Sequence, residues 1–218
     1  TLYCETKSFH RVSYTIRKAK QEKMVYNIII AIIAYLIGSI NFSVIISKKM
    51  AGFDVREKGS GNAGTTNMLR SVGKKGAAIT LICDILKGVV SVLLAMLAAN
   101  IWKETDAELI KYLAGLMAII GHTFPVYYGF KGGKGVATSL GVLLVVHPQI
   151  GIICLVFALI IMIATRLVSL GSVLAATLFP ILTVFMVDSF GAKIISILIA
   201  LLVIFNHRSN IKRLKDGT

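Results

Sequence analysis

Seven long apolar segments divide the chain, and they constrain its fold more than any other feature of the sequence. They lie at Val25–Ile46, Ala77–Ile101, Leu109–Val126, Val136–Val146, Ile150–Ala164, Leu170–Val187 and Ala192–Phe205. Several approach the roughly 20 residues that a helix needs to cross the apolar part of a bilayer. Apolar residues make up 56% of the chain and the mean hydropathy is +0.80, which is more than one soluble core can bury. The sequence therefore predicts an all-α polytopic membrane protein, a seven-transmembrane-helix bundle.

The charges between these segments alternate in sign along the chain. The loops Ser47–Gly76, Gly129–Gly135 and Thr165–Ser169 carry net charges of +5, +2 and +1, and the tail Asn206–Thr218 carries +3. The loops between them are neutral or negative, including Trp102–Glu108 at −2. Because positive loops stay in the cytoplasm, we predict that the N-terminus lies outside and the C-terminus lies in the cytoplasm.

The fourth segment, Val136–Val146, is too short for a standard membrane span. It could be a half-helix that begins at a glycine cluster and is buried among its neighbours. If it forms a re-entrant hairpin with the fifth segment, two crossings disappear together and the sidedness of the rest is unchanged.

Residues 1–23 are polar and carry a net charge of +4, although the topology places them outside the cell. We expect this tail to be a non-native extension and the integral membrane domain to run from residue 24 to residue 218. The alternative is a basic arm that binds anionic lipid headgroups. The net charge of +14 is concentrated in the loops without a basic amphipathic helix, so we expect no nucleic-acid partner.

The first loop contains GSGNAGTTNMLR, Gly59–Arg70. Glycines alternate there with small hydroxyl and amide side chains, and an arginine follows. Such groups form a cradle for a tetrahedral oxyanion such as phosphate, whereas the plainer interpretation is a flexible turn. The candidate residues are Ser60, Asn62, Thr66, Asn67 and Arg70.

The second loop contains FKGGKG, Phe130–Gly135. It fails as a nucleotide-binding Walker A loop because Gly135 follows Lys134 where a Ser or Thr is required. We predict instead an anion nest in which the backbone of Gly132 and Gly133 and the charge of Lys134 bind phosphate. The alternative is an interfacial turn with snorkelling lysines.

Two further polar clusters fall on the same predicted face. TRLVSLGS places Ser169 and Ser172 at helical spacing from Arg166, and it could equally be a basic helix cap. NHRSNIKRL places His207 and Asn210 on one helical face, next to Arg208. A histidine at an interface titrates near neutral pH and can donate to phosphate, whereas the alternative is a basic tail. One composite cytoplasmic site is geometrically possible.

Ionisable residues also occur inside the second apolar segment. Asp84 and Lys87 are three residues apart there, and we expect them to form a mutually neutralising pair that orients a loop. A direct catalytic role for Asp84 is the less favoured alternative. No histidine is followed five positions later by an aspartate, and neither a metal site nor a cofactor is expected.

The four clusters, together with GHTFPVYYGFKGGKGVATSLG, resemble the signature motifs of the bacterial acyl-phosphate:glycerol-3-phosphate acyltransferase family (PlsY), over about Met24–Lys215. The resemblance implies a seven-helix enzyme of the bacterial cell membrane with its active site on the cytoplasmic face. It would transfer a fatty acyl group from acyl phosphate to the sn-1 hydroxyl of glycerol 3-phosphate. The products would be lysophosphatidic acid and phosphate, in the first step of phospholipid synthesis.

The resemblance also implies roles for the candidate residues. The catalytic set is Ser60, Arg70, Lys134, His207 and Asn210. The substrate-binding set is Asn62, Thr66, Asn67, Gly132, Gly133, Ser169, Ser172 and Arg208. Membrane lipids are expected partners, and the oligomeric state is left open. A rival from another class is a small membrane transporter for phosphorylated anions, which would also use glycines and cations at broken helices.

Overall fold

The computed structural model describes residues 2–102 and 106–216, and ten α-helices account for most of them. They are α1 (Leu2–Gly38), α2 (Phe42–Ala51), α3 (Thr65–Ser71), α4 (Lys74–Ile101), α5 (Ala107–Thr123), α6 (Val136–Val146), α7 (Pro148–Thr165), α8 (Val168–Met186), α9 (Phe190–Asn206) and α10 (Arg208–Lys215). No strand occurs in these residues. The predicted all-α class is confirmed.

Each predicted apolar segment contains a helix, but the helices differ in whether they can span a bilayer. Five spans, Gln21–Ala51, Lys74–Ile101, Ala107–Tyr128, Pro148–Thr165 and Val168–Met186, are long and apolar enough. A sixth arises only if α9 and α10, which meet at an angle of 57°, form one bent span. The 11 residues of α6 extend roughly 16 Å, about half of the apolar thickness of a bilayer.

The first predicted segment, Val25–Ile46, is not one continuous helix, and this is a correction. The helix breaks between α1 and α2, where the Asn41 side chain caps α2 and accepts hydrogen bonds from the Val44 amide and the Ser43 hydroxyl. The carbonyl of Ile40 at the break accepts a hydrogen bond of 2.8 Å from Lys87 Nζ. The cap and the lysine thus provide hydrogen bonds to backbone groups at the break, which membrane depth requires, although Asn41 Nδ2 is buried without a partner among the described residues.

The basic tail and the first apolar segment belong to the same helix, α1. The division of the chain into a tail and a membrane domain at residue 24 stays a prediction. In the loop Trp102–Glu108, residues 103–105 lie outside the described part of the chain, and they include two of the charges counted there.

Close backbone contact between α4 and α6 positions the site. A Cβ atom on Gly88 would lie 2.4 Å from the carbonyl oxygen of Thr138, and one on Gly141 would lie 2.0 Å from that of Ile85. Small residues permit such approach, which gives van der Waals packing in a membrane where no hydrophobic effect drives helices together. The pair holds the start of α6, and with it the preceding glycine loop, against α4.

Apolar side chains cover much of the outer surface of the bundle. Ile163, Phe185 and Phe190 are 78%, 82% and 76% exposed, which is typical of a surface that faces lipid tails rather than water. The inside is packed around Tyr112 and Phe179, whose rings stack with centroids 6.3 Å apart. A multi-pass membrane protein follows from this distribution.

Candidate functional site: a cationic cavity at one end of the bundle

The four polar clusters of the sequence converge on one cavity of about 620 Å³. Its polar wall comes from the first loop, the lysine loop (Gly129–Gly135), the start of α8, and α10. The polar and charged lining residues are Ser60, Asn62, Thr65, Thr66, Asn67, Arg70, Asp84, His122, Lys134, Ser139, Arg166, Ser169, Ser172, His207, Asn210 and Arg213. The set includes every predicted site residue except Gly132, Gly133 and Arg208.

Asn67 holds the first loop in shape. Its side-chain oxygen accepts a 2.9 Å hydrogen bond from the Ser60 amide, and its amide group donates to the carbonyls of Val55 and Lys58 at 2.9 and 3.0 Å. The residue is 1% exposed. Both amide hydrogens are therefore occupied by the protein, and the side chain acts by positioning Ser60 rather than by donating to a substrate.

The lysine loop departs from the predicted anion nest, and the interpretation of Gly132 and Gly133 is corrected. Their N–H groups donate at 3.1 Å to the carbonyls of Thr123 and His122, so neither is available to an anion. A Cβ atom would lie 2.0 Å from the His122 carbonyl oxygen at Gly132, and 2.1 Å from His122 Nε2 at Gly133. The glycines are needed because the loop packs directly on the end of α5.

Lys134 is the charged member of this loop that lines the cavity. Its ammonium group donates to the side-chain oxygen of Asn210 on α10. Burial lowers the pKa of Lys134 to about 8, and the positive charges of Arg213 and Arg70 act in the same direction. Three cations that repel one another across a cavity form a site for a multiply charged anion.

His207 lies at the bend between α9 and α10 and is 3% exposed. Its Nδ1 is 2.8 Å from the carbonyl oxygen of Val203, and because a carbonyl only accepts, Nδ1 carries the hydrogen. Nε2 is then the ring atom left for a ligand.

Ser172 of α8 also lines the cavity. Its hydroxyl donates to the Val168 carbonyl at 2.9 Å, so the lone pairs of its oxygen are left to accept a hydrogen bond from a ligand.

Arg208 is not among the residues that line the cavity, and its substrate-binding role stays a prediction. Its guanidinium lies 4.4 Å from the ring centroid of Phe205 and donates to the Phe205 carbonyl. Arg208 is exposed just after the 57° bend between α9 and α10, whereas Arg213 lines the cavity. Arg213 lies three residues after Asn210 and six after His207, so helical spacing could have identified it.

The expected pair of Asp84 and Lys87 is present, and both residues are buried. Lys87 Nζ lies 3.0 Å from Asp84 Oδ1 and also reaches the Ile40 carbonyl, so the lysine orients the break between α1 and α2. His122 of α5 is a third member, with Nδ1 3.6 Å from Asp84 Oδ1. His122 lies within the quoted motif GHTFPVYYGFKGGKGVATSLG, but its distance in sequence from Asp84 gave no sign that the two residues meet.

The rest of the cavity wall is apolar and lies between α4, α6, α7, α8 and α9. Its lining includes Leu81, Ile85, Leu143, Leu155, Leu159, Met162, Ala175, Ala176, Phe179, Ile199 and Val203. A cationic end continuous with an apolar interior fits a ligand with an anionic head and a hydrocarbon tail. The described residues contain no group of three or more His, Cys, Asp or Glu side chains placed to hold a metal ion.

These features define a class of protein: an integral membrane protein whose helical bundle contains a cavity with a cationic end and an apolar interior. The glycerol-3-phosphate acyltransferase family profile matches residues 28–217. The chain belongs to this family, which confirms the resemblance seen in its motifs.

Individual relatives agree with this assignment. A glycerol-3-phosphate acyltransferase of Clostridioides difficile (strain 630) is 47% identical over 191 residues, covering 88% of this chain and 93% of that protein. One from Neisseria meningitidis serogroup C (strain 053442) is 42% identical over 192 residues, covering 88% and 95%.

Two crystal structures of PlsY (YgiH), an integral membrane glycerol 3-phosphate acyltransferase, share the fold. The glycerol 3-phosphate form has a TM-score of 0.79 and 37% sequence identity, covering 88% of this chain and 92% of that one. The lysophosphatidic acid form has a TM-score of 0.77 and 35% identity over the same shares.

Proposed function

We propose that this protein transfers a fatty acyl group from acyl phosphate to the sn-1 hydroxyl of glycerol 3-phosphate, releasing lysophosphatidic acid and phosphate. Family membership supports the acceptor and the reaction class, and it places the enzyme in phospholipid biosynthesis. The observation that carries the proposal is the continuity of the cationic and apolar parts of the cavity. Both substrates are phosphorylated, and one also carries the hydrocarbon tail.

Positioning and charge stabilisation are sufficient for this chemistry because acyl phosphate is already activated. The acceptor hydroxyl oxygen forms an ester bond to the acyl carbon, and the bond from that carbon to the phosphate oxygen breaks. The hydroxyl proton leaves on the departing hydrogen phosphate, so atoms and charge balance without a protein base. A covalent acyl-enzyme trapped on Ser60 would contradict this step.

The cavity residues then take the following roles. Arg70, Lys134 and Arg213 hold phosphate groups, because an ammonium and planar guanidinium groups bind phosphate oxygens strongly. Asn210 orients Lys134, through the hydrogen bond that joins them. His207 offers Nε2 to the reacting phosphate, with its ring fixed by Val203.

The small polar side chains complete the substrate site. Ser60, Asn62 and Thr66 from the first loop and Ser169 and Ser172 from α8 contact hydroxyl and phosphate oxygens. Each of these residues lines the polar part of the cavity.

For the topology, we propose seven crossings, with the N-terminus outside and the C-terminus and active site in the cytoplasm of a bacterial cell. Support comes from the chain path: the lysine loop before α6 and the turn after α7 both reach the cavity. The pair α6–α7 therefore leaves that end of the bundle and returns to it. Cysteine labelling of intact cells tests the sidedness: a label on the tail after α10 without permeabilisation would contradict it.

The purified protein in detergent tests the reaction. We expect phosphate release that requires both acyl phosphate and glycerol 3-phosphate, with lysophosphatidic acid as the lipid product. Turnover without vesicles excludes transport as its explanation, whereas vesicle uptake of glycerol 3-phosphate without turnover would favour the transporter. Lys134→Ala and Arg70→Ala should each lower kcat/KM roughly 10- to 100-fold, the effect of losing one charged hydrogen bond.

A further inference from the structure

The lysine loop begins with two consecutive residues in the left-handed region. Gly129 has φ of 64° and Phe130 has φ of 59°. Glycine adopts this conformation readily, whereas a phenylalanine does so only where surrounding contacts enforce it. The direction in which the chain continues to Lys134 depends on this turn.

Arg56, from the first loop, donates hydrogen bonds to the turn before and after the left-handed pair. Its Nη1 donates to the Tyr128 carbonyl at 2.7 Å and to the Lys131 carbonyl at 3.2 Å. The guanidinium also lies 5.8 Å from the ring centroid of Tyr128. These two carbonyls bracket the left-handed pair, so one side chain fixes the turn across a separation of more than 70 residues.

The guanidinium is itself held in place by Asp54. The Asp54 carboxylate accepts from Arg56 Nε at 3.0 Å and from Nη2 at 2.8 Å, and it caps the Arg56 backbone amide at 3.0 Å. This hydrogen bonding holds the pKa of Asp54 below its usual value. The planar fork is therefore preorganised, and a lysine could not reproduce it.

We propose that Arg56 is a positioning residue for the acyl transfer: by clamping the turn at Gly129–Phe130 it places the Lys134 ammonium in the phosphate-binding cavity. Arg56 is not among the cavity-lining residues, so it acts through the loop. The inference rests on the proposed function, since it assigns Lys134 to a substrate phosphate.

The hydrogen bonds of Arg56 attach a part of the lysine loop that the bonds between its glycines and α5 do not hold. Gly132 and Gly133 are tied to the end of α5 by their N–H groups, and the Gly132 carbonyl accepts from Ala63 at 3.4 Å. Those bonds fix the distance between the loop and α5, but they are made by residues that follow Gly129 and Phe130 in the sequence. Arg56 is the described contact that ties the carbonyls on both sides of that pair to the first loop.

Kinetics of Arg56→Gln and Arg56→Lys test the proposal, with Lys58→Gln as the control. Lys58 carries the same charge in the same loop, but its ammonium lies over the Phe53 ring. We expect KM for glycerol 3-phosphate to rise about tenfold in both Arg56 variants, as for the loss of a charged hydrogen bond, with kcat changed much less. Lys58→Gln should keep the wild-type KM.

The variants also separate the possible causes. A wild-type KM in Arg56→Gln would overturn the clamp, because loss of the guanidinium would then have no effect on substrate binding. Full rescue by Arg56→Lys would also overturn it, because a positive charge alone would then be sufficient. Melting temperature in detergent gives the structural readout. A fall in Vmax that only follows the loss of folded protein, with KM unchanged, would likewise contradict a positioning role.

A double-mutant cycle shows whether Arg56 acts through Lys134. The measurement is the rise in melting temperature produced by glycerol 3-phosphate, which reports binding even in inactive variants. We expect Arg56→Gln to reduce this rise in the wild-type background and to have no further effect alongside Lys134→Met. Additive effects would overturn the proposal. Absence of both protection and turnover in the wild type would instead reject the proposed function.

Discussion

The ammonium of Lys134 donates a hydrogen bond to the side-chain oxygen of Asn210, which joins the loop before α6 to the last helix across 76 positions of sequence. Both residues line the cavity. Burial and two neighbouring arginines lower the pKa of Lys134 to about 8, so we expect phosphate binding by this residue to have a pH limit.

The first prediction is a decline of kcat/KM for glycerol 3-phosphate as pH rises through about 8. A lowered lysine pKa means that the positive charge is present below 8 and lost above it, and kcat/KM reports groups of the free enzyme. His207, Asn210, Arg70 and Arg213 share the cavity with Lys134. Lys134→Arg should remove the decline, whatever its absolute rate, and a decline that persists unchanged would contradict the assignment.

Asn67→Ala should destabilise the protein and weaken substrate binding together. It leaves the Ser60 amide without its acceptor and removes one of two hydrogen bonds from each of the Val55 and Lys58 carbonyls, and one unsatisfied group costs about 1–3 kcal/mol. Thermal unfolding and KM for glycerol 3-phosphate are the measurements. Thr177→Ala, which removes an exposed hydroxyl on α8, should leave both near wild type.

Gly133→Ala should abolish activity although it adds only one methyl group. The new carbon would lie 2.1 Å from His122 Nε2 and 2.6 Å from the Ala63 carbonyl oxygen, so the loop must move away from α5 and carry Lys134 with it. Gly52→Asn is the control, since Gly52 is left-handed with open space around it and asparagine tolerates that conformation. Near-normal turnover in Gly133→Ala would show that the packing is not required.

Ala176→Leu should change the preference for the acyl donor and leave that for the acceptor unchanged. Ala176 lines the apolar part of the cavity, and the larger side chain occupies space that we assign to the hydrocarbon tail. We expect kcat/KM to fall more for long-chain than for short-chain acyl phosphates, by roughly 10-fold or more at about 1–3 kcal/mol of overpacking. Ala164→Leu, on the exposed side of α7, should leave chain-length preference unaltered.

Asp84→Asn and Lys87→Met should each destabilise the bundle, by about 3–5 kcal/mol for a broken buried ion pair. The two groups are 3.0 Å apart and 2–3% exposed, so each variant leaves the other charge buried. The double variant should be less destabilised than the sum of the single ones in thermal unfolding. Additive losses would show that the residues act separately, with His122 as the main partner of Asp84.

Several elements of the fold could be read from local sequence, because their causes are local. The apolar segment Val136–Val146 and the observed α6 have the same bounds, since a glycine loop precedes it and His147–Pro148 ends it. The ion pair of Asp84 and Lys87 followed from their spacing on one helix. The break after Gly38 was missed because the lysine that supports it comes from α4.

In the site, too, features with local causes could be predicted, whereas features that depend on tertiary contacts could not. Residue types and spacing identified Ser60, Arg70, Lys134 and His207, because phosphate chemistry needs such groups. Sequence could not show that the N–H groups of the two loop glycines are used by α5, or that Arg56 reaches the neighbouring loop. It also could not tell Arg208 from Arg213, because the tertiary fold decides which of them lines the cavity.

By itself, the sequence determined that this chain is helical, that it lies in a membrane and which loops are rich in the polar residues that line the cavity, since periodicity, hydropathy and charge are properties of neighbouring residues. Only the tertiary structure decided how the loop containing Lys134 is held. Its glycines, predicted to bind an anion through their backbone, instead pack on the end of α5. The physical reason is that a backbone N–H group makes one strong hydrogen bond, and whether a ligand or a protein carbonyl receives it depends on which helix folds against the loop.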